Sequence, residues 1–305
     1  MRIGIDLGGT KIEGIVLDDR GTALCHERIP TPQGRYEETI AAVRDLVFRL
    51  ETSAGRRASV GIGMPGSISQ TTGLVQNANS VWLNGRPFAE DVAAALAREV
   101  RIANDANCFA LSEAIDGAAL EHRVVFGVIL GTGVGGGIVC DRSIWRGRQS
   151  IAGEWGHNEM PHRVAEDLPA PPCYCGRTGC IETYLSGPAL ARTYASQGGE
   201  PLDARAIALQ AAAGQPLARQ AMDRFYSRLA KSLASVINLL DPDVIVVGGG
   251  LSNIDAIYHR VPELLPAFVF ADAVTTPIKK NLHGDSSGVR GAAWLWPLQT
   301  DRSGA

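Results

Sequence analysis

Near its amino end the sequence reads RIGIDLGGTKIEGIVLD, residues 2–18. Apolar residues lie on both sides of the Gly8-Gly9 pair, a pattern that predicts two strands joined by a tight turn. A second stretch, FGVILGTGVGGGIVCD at residues 126–141, aligns with residues 3–18 without gaps and is identical at seven positions. Any two glycine-turn hairpins look somewhat alike, but the offset of 123 residues also matches a usual domain size. We therefore predict two domains built on one plan.

Strand and helix patterns alternate along the rest of the chain, which indicates an α/β protein. Buried strands are predicted at 59–64 and 243–247, a short strand at 100–103, a loop at 153–180, and helices at 88–100 and 289–296. One helix face is marked by Ile40, Val43, Leu46 and Leu50, and a longer one by Met222, Phe225, Leu229, Val236 and Leu240, ending at Asp241-Pro242. The expected domains are residues 1–115 plus 289–305, with the final helix docking there, and residues 116–288.

Composition narrows the class of protein. The 305 residues are 45% hydrophobic and 20% charged, which excludes disorder over most of the chain. The net charge is −3 with no basic stripe, so we expect no nucleic-acid partner. The longest uncharged run, residues 124–140, is too short and too rich in glycine to span a membrane. With no signal peptide at the amino end, a cytoplasmic protein without a membrane partner is expected.

Three glycine loops come directly after predicted strands. They comprise Gly8 and Gly9, then Gly131, Thr132, Gly133 and Gly135, and finally Gly248, Gly249 and Gly250. Such loops present backbone N–H groups to an anion, and although a plain hairpin explains one of them, three together favour phosphate binding. Beside the first loop, Asp6 suits Mg²⁺ and Thr10 can donate to a phosphate oxygen. Lys11 supplies a positive charge there, or is simply a solvated lysine at a hairpin tip.

Cysteines cluster at one place in the chain. Cys173, Cys175 and Cys180 lie within eight residues, and His157 precedes them by 16. Three thiolates and one imidazole suit a tetrahedral, structural Zn²⁺ site, with buried free thiols as the alternative. Cys25, Cys108 and Cys140 have no such spacing and are expected to be ordinary core or surface thiols.

Asp105 lies in the run Asn104-Asp105-Ala106-Asn107, at a predicted strand-to-helix junction. Phosphoryl transfer to a hydroxyl needs a carboxylate that accepts the hydroxyl proton, and Asp105 is a candidate. The position alone favours a helix N-cap. Asn79, Glu154 and Glu182, taken singly, also fit surface or turn residues.

The motifs around the first two glycine loops resemble the actin-like ATPase fold of sugar kinases, and the ROK family in particular. The resemblance runs from Ile3 to about Trp296. It implies a two-domain actin-like (ribonuclease H-like) fold with ATP and sugar in the interdomain cleft, and it favours a homodimer. The family's repressors carry an N-terminal helix-turn-helix. This sequence starts at the first strand, so we expect an enzyme rather than a sugar-sensing regulator.

The resemblance also assigns roles to residues. It makes Asp105 the catalytic base and Cys-x-Cys-Gly-x-x-Gly-Cys a zinc signature, so that His157, Cys173, Cys175 and Cys180 hold structural Zn²⁺. ATP with Mg²⁺ is expected at Asp6, Gly8, Gly9, Thr10, Lys11, Gly131, Thr132, Gly133, Gly135, Gly248, Gly249 and Gly250. The sugar is expected at Gly66, Asn79, Asn104, Asp105, Glu154, His157 and Glu182.

The sugar itself is predicted from two stretches, residues 77–85 and 283–294, which resemble the fructokinase branch of the family. Trp82 beside the sugar would leave little room for an N-acetyl group. The expected reaction therefore transfers the γ-phosphate of ATP to the 6-hydroxyl of fructose, with mannose and glucose as further hexoses. The alternatives are an N-acetylglucosamine kinase, which shares the run at residues 104–114, and a glucokinase.

Overall fold

The strands of the protein form two five-stranded sheets and one short hairpin within residues 1–297, which the computed structural model describes. In chain order they are β1 (Arg2–Leu7), β2 (Lys11–Leu17), β3 (Ala23–Pro30), β4 (Ser59–Met64), β5 (Ser67–Ile68), β6 (Val75–Gln76), β7 (Val100–Asn104), β8 (Val124–Leu130), β9 (Val134–Cys140), β10 (Ser143–Ile144), β11 (Val244–Gly248) and β12 (Ile278–Lys280).

The helices fall between and after these strands. They are α1 (Tyr36–Ala54), α2 (Phe88–Leu96), α3 (Asp105–Asp116), α4 (Glu182–Leu185), α5 (Gly187–Ser196), α6 (Ala204–Ala212), α7 (Pro216–Leu240), α8 (Ile257–Leu264) and α9 (Ser287–Trp294). Short 3-10 helices occur at Val81–Leu83, Trp155–His157, Ala165–Asp167, Gly250–Asn253, Leu265–Ala267 and Gly284–Ser286.

The first sheet has the order β3-β2-β1-β4-β7. β1 pairs antiparallel with β2, placing Asp6 opposite Glu13, whereas β1, β4 and β7 run parallel. The carboxyl ends of parallel strands meet at one edge of a sheet. The sequence after these three strands therefore brings Gly8, Gly66 and Asp105 to the same edge.

The second sheet repeats this plan with the order β10-β9-β8-β11-β12. β8 and β12 both run parallel to β11, and β9 pairs antiparallel with β10. The position of β8 corresponds to that of β1, as the internal repeat predicts. The parallel pair β8 and β11 places Gly131 and Gly249 at one edge.

Helix α9 packs closely on the first sheet, as the sequence predicts. A Cβ atom on Gly4 in β1 would overlap the carbonyl oxygen of Val289, and one on Gly61 in β4 would overlap that of Ala292. Glycine at these positions lets the helix backbone approach the strands. On the far side, Leu46 and Leu50 of α1 are buried against the same sheet.

Contacts divide the chain into two compact units. The first comprises Met1–Leu120, Gly137–Ala152 and the described residues from Asp285 onward, and the second Glu121–Gly136 and Gly153–Gly284. The sequence-based boundaries instead assign residues 116–120, 137–152 and 285–288 to the second domain, and their final part, 298–305, lies outside the described residues. Among residues 1–297, no helix combines the length and apolar character needed to cross a membrane.

Some boundaries differ from the sequence-based expectation. Helix α2 ends at Leu96 rather than at residue 100, because Ala97 takes a left-handed conformation with φ 49°. Asp241 ends α7 in the same way, with φ 46°, where the sequence predicts the stop. On α7 the fully buried face includes Ile237, whereas Val236 and Leu240 are only half-buried.

Candidate functional site

The first glycine loop is a closed turn between β1 and β2. Gly8 N donates to Lys11 O at 2.9 Å, and Thr31 supports the turn by donating from its hydroxyl to Gly8 O at 2.8 Å. Gly9 and Thr10 are exposed at its tip. The loop therefore offers backbone N–H groups and the Thr10 hydroxyl to an anion.

Lys11 is exposed at the hairpin, and its side chain contacts a buried acid. Its ammonium lies 3.4 Å from Glu13 Oε2, an oxygen that also accepts from Arg28 Nε at 2.7 Å. His26 Nε2 lies 2.7 Å from the other Glu13 oxygen. Glu13 is 1% exposed, and sequence reasoning did not single it out, although an acid inside an apolar strand was the available signal. The cluster carries excess positive charge beside the loop.

Asp6 lies at the end of β1 in an acidic environment. Burial, followed by the nearby carboxyl groups of Asp105 and Glu13, raises the pKa of Asp6 to about 7, and only Lys11 opposes this shift. A divalent cation would remove the repulsion between these acids, so the carboxylate set fits Mg²⁺.

Asp105 begins α3, but it is not the N-cap. The cap is Asn104, whose Oδ1 accepts from Ala106 N at 2.9 Å and from Asn107 N at 3.4 Å. Asn104 Nδ2 donates to Gly66 O at 3.1 Å. The interpretation of Asp105 as the N-cap is therefore wrong. The hydrogen bond from Asn104 to Gly66 links two of the residues predicted to contact the sugar. Asp105 Oδ1 accepts from Ala106 N at 2.8 Å.

The segment that carries Asn79 is held by a side chain that sequence reasoning missed. Asn84 Oδ1 accepts from Ala78 N at 2.9 Å, and Asn84 Nδ2 donates to Ala78 O at 2.8 Å. Asn79 itself is exposed next to this clamp. Trp82 is half-buried and packs against the core of the first unit, which weakens the steric argument that its indole excludes an N-acetyl group.

The second glycine loop is braced by acidic and aromatic side chains of its own unit. Gly131 N donates to Gly133 O at 2.9 Å, which closes the turn. Glu182 Oε2 accepts from Val134 N at 2.9 Å, and Trp155 Nε1 donates to Gly135 O at 2.8 Å. Thr132 is exposed at the tip.

The third loop requires glycine at its centre. Gly249 has φ 78°, and a Cβ there would lie 2.5 Å from Leu130 O. Gly248 ends β11, and Gly250 begins the next 3-10 helix. The second and third loops thus lie side by side at the carboxyl edge of the second sheet.

The four predicted metal ligands come together. The ligand atoms of His157, Cys173, Cys175 and Cys180 all lie within 4.8 Å of one another. His157 Nδ1 is 3.6 Å from Cys173 Sγ, and Cys175 Sγ is 3.6 Å from Cys180 Sγ. Zinc–sulfur bonds of about 2.3 Å in a tetrahedron would separate the sulfurs by roughly 3.8 Å, so the set fits Zn²⁺.

The same loop orients the candidate sugar residues of this unit. Glu154 precedes the 3-10 helix of His157, and Glu182 follows Cys180 by two residues. Burial raises the pKa of Glu154, with Glu182 adding to the rise and His157 opposing it. His157 Nε2 is 2.9 Å from the Tyr174 hydroxyl, so both ring nitrogens already have neighbours, and a sugar would have to displace Tyr174.

The chain is similar to known proteins over almost its whole length. The model of the ROK family matches residues 2–299. An N-acetyl-D-glucosamine kinase of Yersinia pseudotuberculosis serotype IB (strain PB1/+) is 44% identical over 299 residues, covering 97% of this chain and 98% of that protein.

Solved structures show the same fold. A ROK hexokinase from Thermus thermophilus has a TM-score of 0.83 and 32% identity, with 96% of both chains covered. A ROK family glucokinase from Streptomyces griseus, in complex with glucose and AMPPNP, has a TM-score of 0.77 and 27% identity, covering 96% of this chain and 98% of that one.

Proposed function

The chain belongs to the ROK family and is a sugar kinase, and on that premise we propose that it phosphorylates N-acetyl-D-glucosamine with ATP. The observation that carries the choice of sugar is the 44% identity, over almost the whole of both chains, to an N-acetyl-D-glucosamine kinase. The glycine loops and carboxylates described above are the kinds of group that such a transfer needs, which supports the proposal.

Asp105 is proposed as the general base. It accepts the proton of the sugar 6-hydroxyl while that oxygen attacks the γ-phosphorus of ATP, and the bond from the γ-phosphorus to the bridging oxygen breaks to release ADP. The loops at Gly8–Lys11, Gly131–Gly135 and Gly248–Gly250 are proposed to hold the nucleotide. Mg²⁺ near Asp6, when bound, would neutralise phosphate charge.

The sugar is proposed to contact Gly66, Asn79, Asn104, Glu154, His157 and Glu182. Carboxylates and amides suit a ring of hydroxyl groups, and buried acceptors reject analogues that leave them unpaired. Zn²⁺ is proposed at the histidine–cysteine cluster. It would be structural, because four protein ligands leave no open coordination position.

Fructose is the second candidate, favoured by the stretches at residues 77–85 and 283–294 that resemble fructokinases. The 44% identical relative is an N-acetyl-D-glucosamine kinase, which favours N-acetylglucosamine over fructose. The packing of Trp82 against the core also leaves the steric argument for fructose with less support.

The test is ADP release from MgATP with one sugar at a time: N-acetylglucosamine, fructose, mannose and glucose. The proposal expects the highest kcat/KM on N-acetylglucosamine. A higher kcat/KM on fructose would change the proposed substrate but not the assignment as a kinase. In a Trp82→Phe variant measured beside it, the ratio of kcat/KM on N-acetylglucosamine to that on fructose should stay within about threefold of the wild-type ratio. ADP release without any sugar, at the same rate, would contradict a sugar kinase.

A further inference from the structure

A cationic groove of about 580 Å³ lies in the second unit, away from every residue assigned above to ATP, sugar or zinc. One wall is α7 and the other is the 3-10 helix Ala165–Asp167 with its neighbours. Its charged lining consists of Glu166, Asp167, Arg219, Asp223, Arg224, Arg228 and Lys231.

The charges of this groove do not cancel. Arg228 pairs with Asp167 at 2.8 Å, and Asp223 lies 3.4 Å from Arg260. Among residues 1–297, no carboxylate lies within 4.0 Å of the three remaining cations, Arg219, Arg224 and Lys231. Four cations and three acids line the groove, so its formal charge is +1 on a chain whose net charge is −3.

Lys231 is the most buried of these three cations. It is only 7% exposed, its ammonium donates to His162 O at 2.8 Å, and the Phe268 ring lies 5.9 Å away. A buried ammonium is costly unless an anion or several acceptors compensate it. One carbonyl and one ring face satisfy Lys231 in part, and the groove is the space from which an anion can reach it.

We propose that this groove binds a small phosphate-bearing anion, with Lys231 at its base and Arg224 and Arg219 at its rim. Planar guanidinium groups suit phosphate oxygens, and a buried ammonium adds a point charge at the floor. Its volume is that of a small-molecule site, and its charge does not suit an apolar ligand.

The floor of the groove connects to the sugar-kinase residues through Asp167. The Asp167 carboxylate holds Arg228, while its carbonyl accepts from the Tyr184 hydroxyl at 2.9 Å. Tyr184 belongs to α4, which begins at Glu182. The groove therefore shares Asp167 with the element that carries Glu182.

The test is equilibrium dialysis of radiolabelled inorganic phosphate against the full protein, with Mg²⁺, AMPPNP and N-acetylglucosamine present to fill the kinase site. We expect one phosphate per chain, bound at least tenfold more weakly by Lys231→Met, which keeps the unbranched shape and most of the length of the side chain, and by Arg224→Gln at a half-buried position. Arg205→Gln, which removes an exposed cation of the same unit outside the groove, should bind as the wild type does. Unchanged binding in both groove variants, or no binding at millimolar phosphate, would overturn the site.

Two further experiments distinguish a phosphate monoester from a second copy of the chain as the partner of this groove. Displacement of phosphate by a hexose 6-phosphate, but not by the free hexose, supports a phosphate monoester as the ligand. Sedimentation of wild type and Lys231→Met addresses a second copy of the chain. If the variant loses a dimer that the wild type forms, and phosphate does not bind either protein, the groove is an interface and the proposal fails. Because the kinase site is filled throughout, failure here leaves the proposed kinase activity untouched.

Discussion

Glu182 Oε2 accepts a hydrogen bond from Val134 N at 2.9 Å. Val134 is the first residue of β9, directly after the Gly131–Gly133 turn, and Glu182 is the first residue of α4, two residues after Cys180. One carboxylate therefore ties the cysteine loop to a glycine loop within the second unit. The residue proposed to recognise sugar also stabilises the backbone proposed to hold phosphate.

Glu182 is expected both to bind the sugar and to support the second glycine loop, and two variants separate these roles. Glu182→Gln keeps an oxygen that can accept from Val134 N but removes the negative charge, so kcat/KM for the sugar should fall about 10- to 100-fold, since a hydrogen bond to a charged group contributes roughly 1.5–3 kcal/mol. The KM for ATP should change little. Glu182→Ala also leaves Val134 N without its acceptor, so the KM for ATP should rise as well.

Steady-state kinetics in both substrates measure this difference. Glu200→Gln is the matched control, because Glu200 is exposed and outside the site, and it should behave as the wild type does. Equal ATP KM values for Glu182→Gln and Glu182→Ala would show that the contact with Val134 does not hold the loop.

Asp6 should make stability depend on pH. Burial raises its folded-state pKa from 3.8 to about 7, so the folded protein favours the neutral acid. Its stabilising contribution is then present below pH 4 and is lost as the pH rises through about 7. In the absence of Mg²⁺, Asp6→Asn should exceed the wild type in free energy of unfolding by roughly 2–4 kcal/mol at pH 8, and by much less near pH 5.

Urea unfolding at both pH values tests the Asp6 prediction, with Asp272→Asn, an exposed acid, as the charge control. The same Asp6→Asn variant should lose most of its Mg²⁺-dependent turnover. If Asp6→Asn is no more stable than the wild type at pH 8, the Asp6 carboxyl group is not in a buried, acidic environment.

The sequence predicted the inner strands of both sheets because the hairpin motif occurs twice and its glycines follow apolar runs, as at Leu7-Gly8 and Leu130-Gly131, but it did not predict the edge strands β3, β10 and β12. The cysteine cluster was also predictable, since Cys173, Cys175 and Cys180 lie close along the chain. Contacts between distant segments were not. Nothing local in Asn84 indicates that it clamps Ala78, and the capping role moved by one residue, from Asp105 to Asn104, because the side-chain direction decides it.

Removal of zinc should unfold the cysteine loop locally. Cys175→Ser is expected to lower the metal content from one zinc per chain to almost none, since three ligands bind far more weakly than four. The loop at residues 157–180 should then become sensitive to protease, and the sugar KM should rise because Glu154 and Glu182 flank it. Elemental analysis and limited proteolysis measure this. Cys140→Ser is the control, because this thiol lies outside the cluster, and the variant should keep its zinc. If wild-type protein purified without zinc resists protease as well as the zinc-loaded protein does, zinc has no structural role.

Asp105 and its neighbour Asn104 should separate catalysis from helix capping. Asp105→Asn should lower kcat by about 10²- to 10⁴-fold with the sugar KM within a fewfold of wild type, because it removes the base and leaves the cap. Its melting temperature should stay near the wild-type value. Asn104→Ala removes the cap oxygen that accepts from Asn107 N and shares Ala106 N with Asp105, so it should destabilise the protein by about 1 kcal/mol, whereas Asn104→Ser retains a capping oxygen and should lose less. Calorimetry beside kinetics distinguishes the two residues. If Asp105→Asn melts like Asn104→Ala but still turns over, Asp105 is structural and the base lies elsewhere.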